Sequence, residues 1–119
     1  MAKERDFQAK LIKEIMTRFP GALAFKVETY IQGFPDLLVL YGKHWAALEC
    51  KRGARAAHRP NQDYWVAFLN KMSFAAFISP ENKEEVLYDL QRSFKTRRTT
   101  RIPRSKQVPL AQLQRRKAS

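Results

Sequence analysis

The sequence predicts an α/β domain with the element order α-β-β-β-α-β-α, and three observations carry that prediction. Residues 37–41 and 44–48 are short apolar runs on either side of Gly42-Lys43, the pattern of a buried hairpin. Apolar residues at helical spacing stand before this hairpin and twice after it, separated by a further short apolar run. A chain of 119 residues with 45% apolar content supports one modest core, not two.

The elements follow in order. Phe7, Leu11, Ile12, Ile15, Met16 and Phe19 form one helical stripe, ended by Pro20-Gly21. Residues 22–27 read as a first strand and 29–34 as a loop. The hairpin comes next, then a basic, glycine-containing loop over 52–59. Pro60 suits the first position of a helix, whose apolar face is read as Tyr64, Trp65, Phe68, Leu69 and Met72. Residues 74–78 form a short buried strand. Ser79 is a good N-cap with Pro80 just inside, and Val86, Leu87, Leu90 and Phe94 continue a last helix.

Charge divides the chain into a domain at 1–94 and a basic tail at 95–119. Residues 1–94 hold 14 Lys/Arg against 11 Asp/Glu, whereas 95–119 hold 9 Lys/Arg and no acid, supplying most of the net +12. The tail reads as a flexible arm, with a short helix over 110–116, that binds phosphate backbones without reading sequence. Arg97, Arg98 and Arg101 lead it. No run is long and apolar enough to span a membrane, the N-terminus lacks a signal-peptide core, and one cysteine excludes an internal disulfide. A soluble intracellular protein is expected.

The chemistry concentrates around the hairpin. Asp36 opens its first strand and Glu49 closes its second, so pairing brings the two carboxylates together. They repel unless a cation sits between them. Glu49 and Lys51, two residues apart on a strand, face one side while Cys50 faces the other. An oxygen-ligated divalent ion fits Asp36 and Glu49, with Lys51 aimed at the same place and the Cys50 backbone carbonyl within reach. Blander readings exist: Asp36 as a turn residue after Pro35, Glu49 and Lys51 as a surface ion pair, Gln62 as an ordinary exposed helix residue. Cys50 reads as a small buried hydrophobe, His44 as a strand-end surface residue and His58 as a weak phosphate contact.

Gly33-Phe34-Pro35-Asp36-Leu37-Leu38, Leu48-Glu49-Cys50-Lys51 and Gln62 together resemble the PD-(D/E)xK nuclease superfamily. Within it they look most like the VRR-NUC branch and the archaeal and viral Holliday-junction resolvases. The resemblance implies a restriction-endonuclease-like core, a mixed central sheet with helices on both faces. It also implies metal-dependent hydrolysis of DNA phosphodiesters with Mg²⁺ or Mn²⁺. Asp36, Glu49 and Lys51 become the catalytic set, and Gln62 belongs on the active-site rim. A first-helix glutamate completes the metal site in such proteins. Glu4 is favoured for that place by its distance from the following strand, and Glu14 is the rival. Lys26, Arg52, Arg55 and Arg59 are expected to contact phosphate. Branched DNA and a homodimer are the expected partners, with Trp65, Phe68 or Phe77 supplying the dimer face. A non-catalytic nucleic-acid-binding protein, a partner-docking module and a nuclease for flaps or linear duplex are the alternatives.

Overall fold

In a computed structural model, residues 4–95 are described. They form helix α1 (Glu4–Arg18), strands β1 (Leu23–Lys26), β2 (Leu37–Tyr41) and β3 (His44–Cys50), helix α2 (Gln62–Met72), strand β4 (Phe74–Ile78) and helix α3 (Lys83–Lys95). The element order is the one the sequence predicts. Arg97, Arg98, Arg101 and the segment 110–116 lie outside the described residues.

The sheet runs β1-β2-β3-β4. The first two pairings are antiparallel, and β3–β4 is parallel, which requires the crossover that α2 provides. Gly42, at φ +59, makes the hairpin turn in a left-handed conformation open to glycine at little cost. Strand alternation then sorts the side chains. Ala24, Leu37, Val39, Ala46, Leu48, Cys50 and Ile78 point to one face, where Leu11 and Ile15 of α1 and Val86, Leu87, Leu90 and Phe94 of α3 close over them. Ala47 and Ala75 point to the other, where Val66 and Leu69 of α2 cover them. The molecule is thus an α/β domain with a mixed four-stranded sheet and helices on both faces.

Some local expectations are corrected. The buried side of α2 is Gln62, Val66 and Leu69, whereas Tyr64, Phe68 and Met72 are exposed. Adjacent aromatic residues on a helix read alike in sequence whichever side meets the sheet. Helix α2 starts at Gln62, two residues after Pro60, following Asn61 in a left-handed conformation with no side-chain cap. Helix α3 starts at Lys83, and Ser79 does not cap it: Asn82 Oδ1 instead accepts from the Ser79 amide at 2.7 Å. His44 is half-buried, its ring centroid 5.8 Å from that of Phe94. Phe77 is half-buried under the His58 ring. Among the described residues no helix is long and apolar enough to cross a membrane.

Candidate active site

The two halves of the motif meet where the hairpin opens. The Val27 amide donates to the Asp36 carbonyl at 2.7 Å, extending the β1–β2 ladder to the residue before β2. Leu37 pairs with Leu48, so Asp36 and Glu49 come next across the ladder. The Cys50 amide donates to Asp36 Oδ2 at 3.0 Å and holds that carboxylate against the end of β3. The Lys51 amide donates to the Ile78 carbonyl at 2.8 Å, so the β3–β4 pairing carries the strand direction through Lys51.

Alternation puts Glu49 and Lys51 on the α2 side of the sheet, and α2 meets them with Gln62. Its amide nitrogen donates to Glu49 Oε2 at 2.9 Å, and its Oε1 accepts from Lys51 Nζ at 2.6 Å. The Arg59 amide also donates to Gln62 Oε1, at 2.8 Å, which fixes the orientation of the side-chain amide. Lys51 Nζ donates in addition to the Ala57 carbonyl at 3.0 Å. These three polar side chains are all at least nine-tenths buried. The rim role expected for Gln62 therefore becomes a bridge between the acid and the lysine.

Glu49 Oε1 is different: it is buried and has no hydrogen-bond partner among the described residues. Burial, then the adjacent Asp36, push the Glu49 carboxyl up from the ordinary 4.5 to about 8, while Lys51 pulls the other way. Two close carboxylates cannot both ionise in a dry site without a positive charge between them. Burial and the same two acids also drive the Cys50 thiol upward, so it stays protonated, and its side chain sits in the α1/α3 core.

The two candidate glutamates of α1 have different surroundings. Glu4, at the first turn of α1, contributes to raising both Glu49 and Cys50, so its charge is felt at the site. Glu14 is engaged elsewhere, with Lys83 Nζ at 2.8 Å and Arg18 at 3.4 Å. Arg52, Arg55 and Arg59 lie exposed on the loop after Lys51, and Lys26 is exposed at the end of β1 beside the Asp36 row. His58 stacks on Phe77 with centroids 4.0 Å apart, and its Nδ1 lies 2.7 Å from Asp63 Oδ1.

Three contributors are not legible from composition or periodicity. The Ala57 carbonyl and the Arg59 amide act through the backbone, which carries no residue-type signal. Gly33, at φ +84, passes so close to the start of α2 that a Cβ there would lie 2.7 Å from the Pro60 carbonyl and from Asn61. A glycine ahead of Pro-Asp was the available signal, since close backbone approach is one of the uses of the residue.

No family model, curated protein or solved structure matches the chain. Functional weight therefore falls on the chemistry of the site. Among the described residues, no three His, Cys, Asp or Glu side chains form a ready ligand cluster. Two adjacent carboxylates with one orphaned oxygen fit an ion that takes one or two carboxylates and fills its shell with water and phosphate.

Proposed function

We propose that the chain is a divalent-metal-dependent nuclease of the PD-(D/E)xK type that hydrolyses DNA phosphodiesters. The observation that carries this reading is the orphaned, buried Glu49 Oε1 beside Asp36, with Lys51 bridged to the same glutamate through Gln62. Asp36 and Glu49 would hold Mg²⁺ or Mn²⁺, with the Cys50 carbonyl and Glu4 as further oxygen ligands. When bound, such an ion polarises a phosphoryl oxygen and acidifies a water. The described contacts engage two of the three N–H donors on Lys51, which leaves one to orient a water or a non-bridging phosphate oxygen. Gln62 holds that ammonium close to Glu49 and keeps it from swinging into solvent. No side chain here is placed as a covalent nucleophile, since the Cys50 thiol is buried and protonated.

The substrate is proposed to be branched DNA, recognised by shape. Arg52, Arg55 and Arg59 on the loop after Lys51 and Lys26 at the end of β1 are exposed cations proposed to meet phosphate, and Arg97, Arg98 and Arg101 would add sequence-independent attraction.

Cleavage of four-way, flap and linear duplex DNA in Mg²⁺ or Mn²⁺, with Asp36→Asn and Lys51→Ala alongside, tests both halves. Expected are metal-dependent cutting, fastest on the four-way junction, and loss of cutting with retained DNA binding in both variants. A wild-type chain that binds every substrate and cuts none overturns the nuclease reading and leaves a nucleic-acid-binding protein. Equal cutting of all three substrates overturns only the branched-DNA half.

A further inference from the structure

The loop between β3 and α2 meets the site with its backbone. The Ala57 carbonyl accepts from Lys51 Nζ at 3.0 Å, and the Arg59 amide donates to Gln62 Oε1 at 2.8 Å. Both groups belong to a stretch without helix or strand, so no repeating ladder fixes where they stand. Such a segment keeps one geometry only where contacts from outside offset the entropy of holding it. The first half of the loop has such contacts. The Ala56 amide closes a turn on the Gly53 carbonyl at 3.1 Å, and Glu81 Oε2, ahead of α3, accepts from the Ala54 amide at 3.2 Å.

The second half is tied down at His58, the residue between Ala57 and Arg59. Its ring lies on Phe77 with centroids 4.0 Å apart and planes 16° apart. Phe77 is the register partner of Glu49 on β4, and it packs on the α2 side of the sheet. His58 Nδ1 lies 2.7 Å from Asp63 Oδ1, and Asp63 follows Gln62 directly. A carboxylate only accepts, so Nδ1 carries the proton. One imidazole therefore joins the loop both to the strand beside Glu49 and to the helical turn that bears Gln62. The two contacts are unequal. The Asp63 side chain is 76% exposed, so water and salt screen its pairing with His58. The stack on a half-buried ring is not screened in that way and supplies most of the hold.

We propose that His58 is a positioning residue: stacked on Phe77, it clamps the loop so that Ala57 and Arg59 keep Lys51 and Gln62 aligned with Glu49. Lysine needs such help, because its ammonium rides on a flexible four-carbon stem and holds one direction only while its acceptors stay in place. The acceptors described for Lys51 Nζ are the Ala57 carbonyl and Gln62 Oε1. The first is part of the loop, and the second is oriented by the Arg59 amide. Releasing the loop withdraws one acceptor and frees the other to turn, so Lys51 loses both together. The consequence for cleavage rests on the nuclease reading, whereas the clamp on the loop does not.

Amide hydrogen exchange followed by NMR on the full chain, without DNA or metal, tests the clamp in wild type, His58→Ala and His58→Phe. The Arg59 amide should exchange about tenfold faster in His58→Ala, the size expected for losing one aromatic stack. The Leu69 amide inside α2 and the Tm should stay at their wild-type values. His58→Phe keeps a flat ring on Phe77 and should restore most of the Arg59 protection. Cleavage by the same three chains should show kcat about tenfold lower in His58→Ala, with KM little changed and recovery in His58→Phe. Wild-type Arg59 exchange in His58→Ala overturns the clamp. So does equal acceleration at Leu69 with a lower Tm, which marks a general loss of stability. A His58→Phe chain as fast as His58→Ala overturns the stack as its basis, and faster Arg59 exchange with unchanged kcat overturns the positioning of Lys51. If wild type cuts no DNA, the nuclease reading falls instead, and the exchange result decides the clamp by itself.

Discussion

Glu49 is held between two opposing requirements. Its burial and the neighbouring Asp36 favour the neutral acid, whereas the metal-ligand role proposed for it requires the ionised form. The folded group titrates near 8 and the unfolded one near 4.5, so without metal the fold binds the extra proton between those values. Its contribution to stability is fully present below about 4.5 and is lost as pH rises to about 8. Thermal melts in EDTA should therefore show wild-type Tm falling across that window and a flatter profile for Glu49→Gln, which melts higher at pH 8. Each kcal/mol recovered is worth about 4–8 °C in a domain this small. Added Mg²⁺ should raise the wild-type Tm at pH 8 and leave Glu49→Gln nearly unmoved. Gln62 works through its neighbours, orienting Lys51 and Glu49 together. Gln62→Ala should lower kcat for DNA cleavage by about 10–100-fold, the usual effect of removing a supporting contact, with KM little changed. An unaffected kcat in that variant would remove the bridge from the mechanism.

Helix α2 does two jobs with two sides. Its first residue reaches the site, and its middle covers β3 and β4 with Val66 and Leu69. The start of the helix is set less by its own sequence than by what it leans on: Asn61 has no side-chain capping bond, and the turn at Pro60–Asn61 abuts Gly33. Gly33→Ala adds both a Cβ clash with backbone and a strained positive φ, and should cost about 1–3 kcal/mol measured by urea denaturation. Because the clash displaces the segment bearing Gln62, cleavage should also fall when measured well below the melting transition. Leu48→Ala, in the core on the opposite side of β3, should destabilise by about 2–5 kcal/mol and serves as the comparison: a stability loss whose effect on cleavage disappears at low temperature.

At the scale of the whole molecule, charge and shape are separated. Residues 1–94 are nearly balanced in charge, whereas most of the +12 lies at 95–119. Binding to linear duplex should therefore weaken steeply with salt. Replacing Arg97, Arg98 and Arg101 with Gln should reduce the slope of log K against log salt by up to about 3, close to 0.9 for each phosphate no longer neutralised. On the proposed nuclease reading, cleavage of bound DNA should be unaffected, since Asp36, Glu49 and Lys51 are untouched.

Much of this was legible in the sequence because it depends on local periodicity. A two-residue repeat on a strand suffices to turn Glu49 and Lys51 one way and Cys50 the other. A short turn between two apolar runs suffices to bring Asp36 to Glu49. Element order and type followed from the same patterns. What the tertiary structure alone decided were the matters of relative placement. Glu4 and Glu14 share a helix face, and only the packing of α1 leaves Glu4 felt at the site while Lys83 and Arg18 engage Glu14. Gln62 became a buried bridge only because the loop at 57–59 folds back over Lys51. The aromatic stripe of α2 resembled a core face, yet the sheet accepts Val66 and Leu69 and leaves Phe68 and Met72 outside. Periodicity specifies which residues share a side of an element, but which side is buried depends on what other elements bring to it.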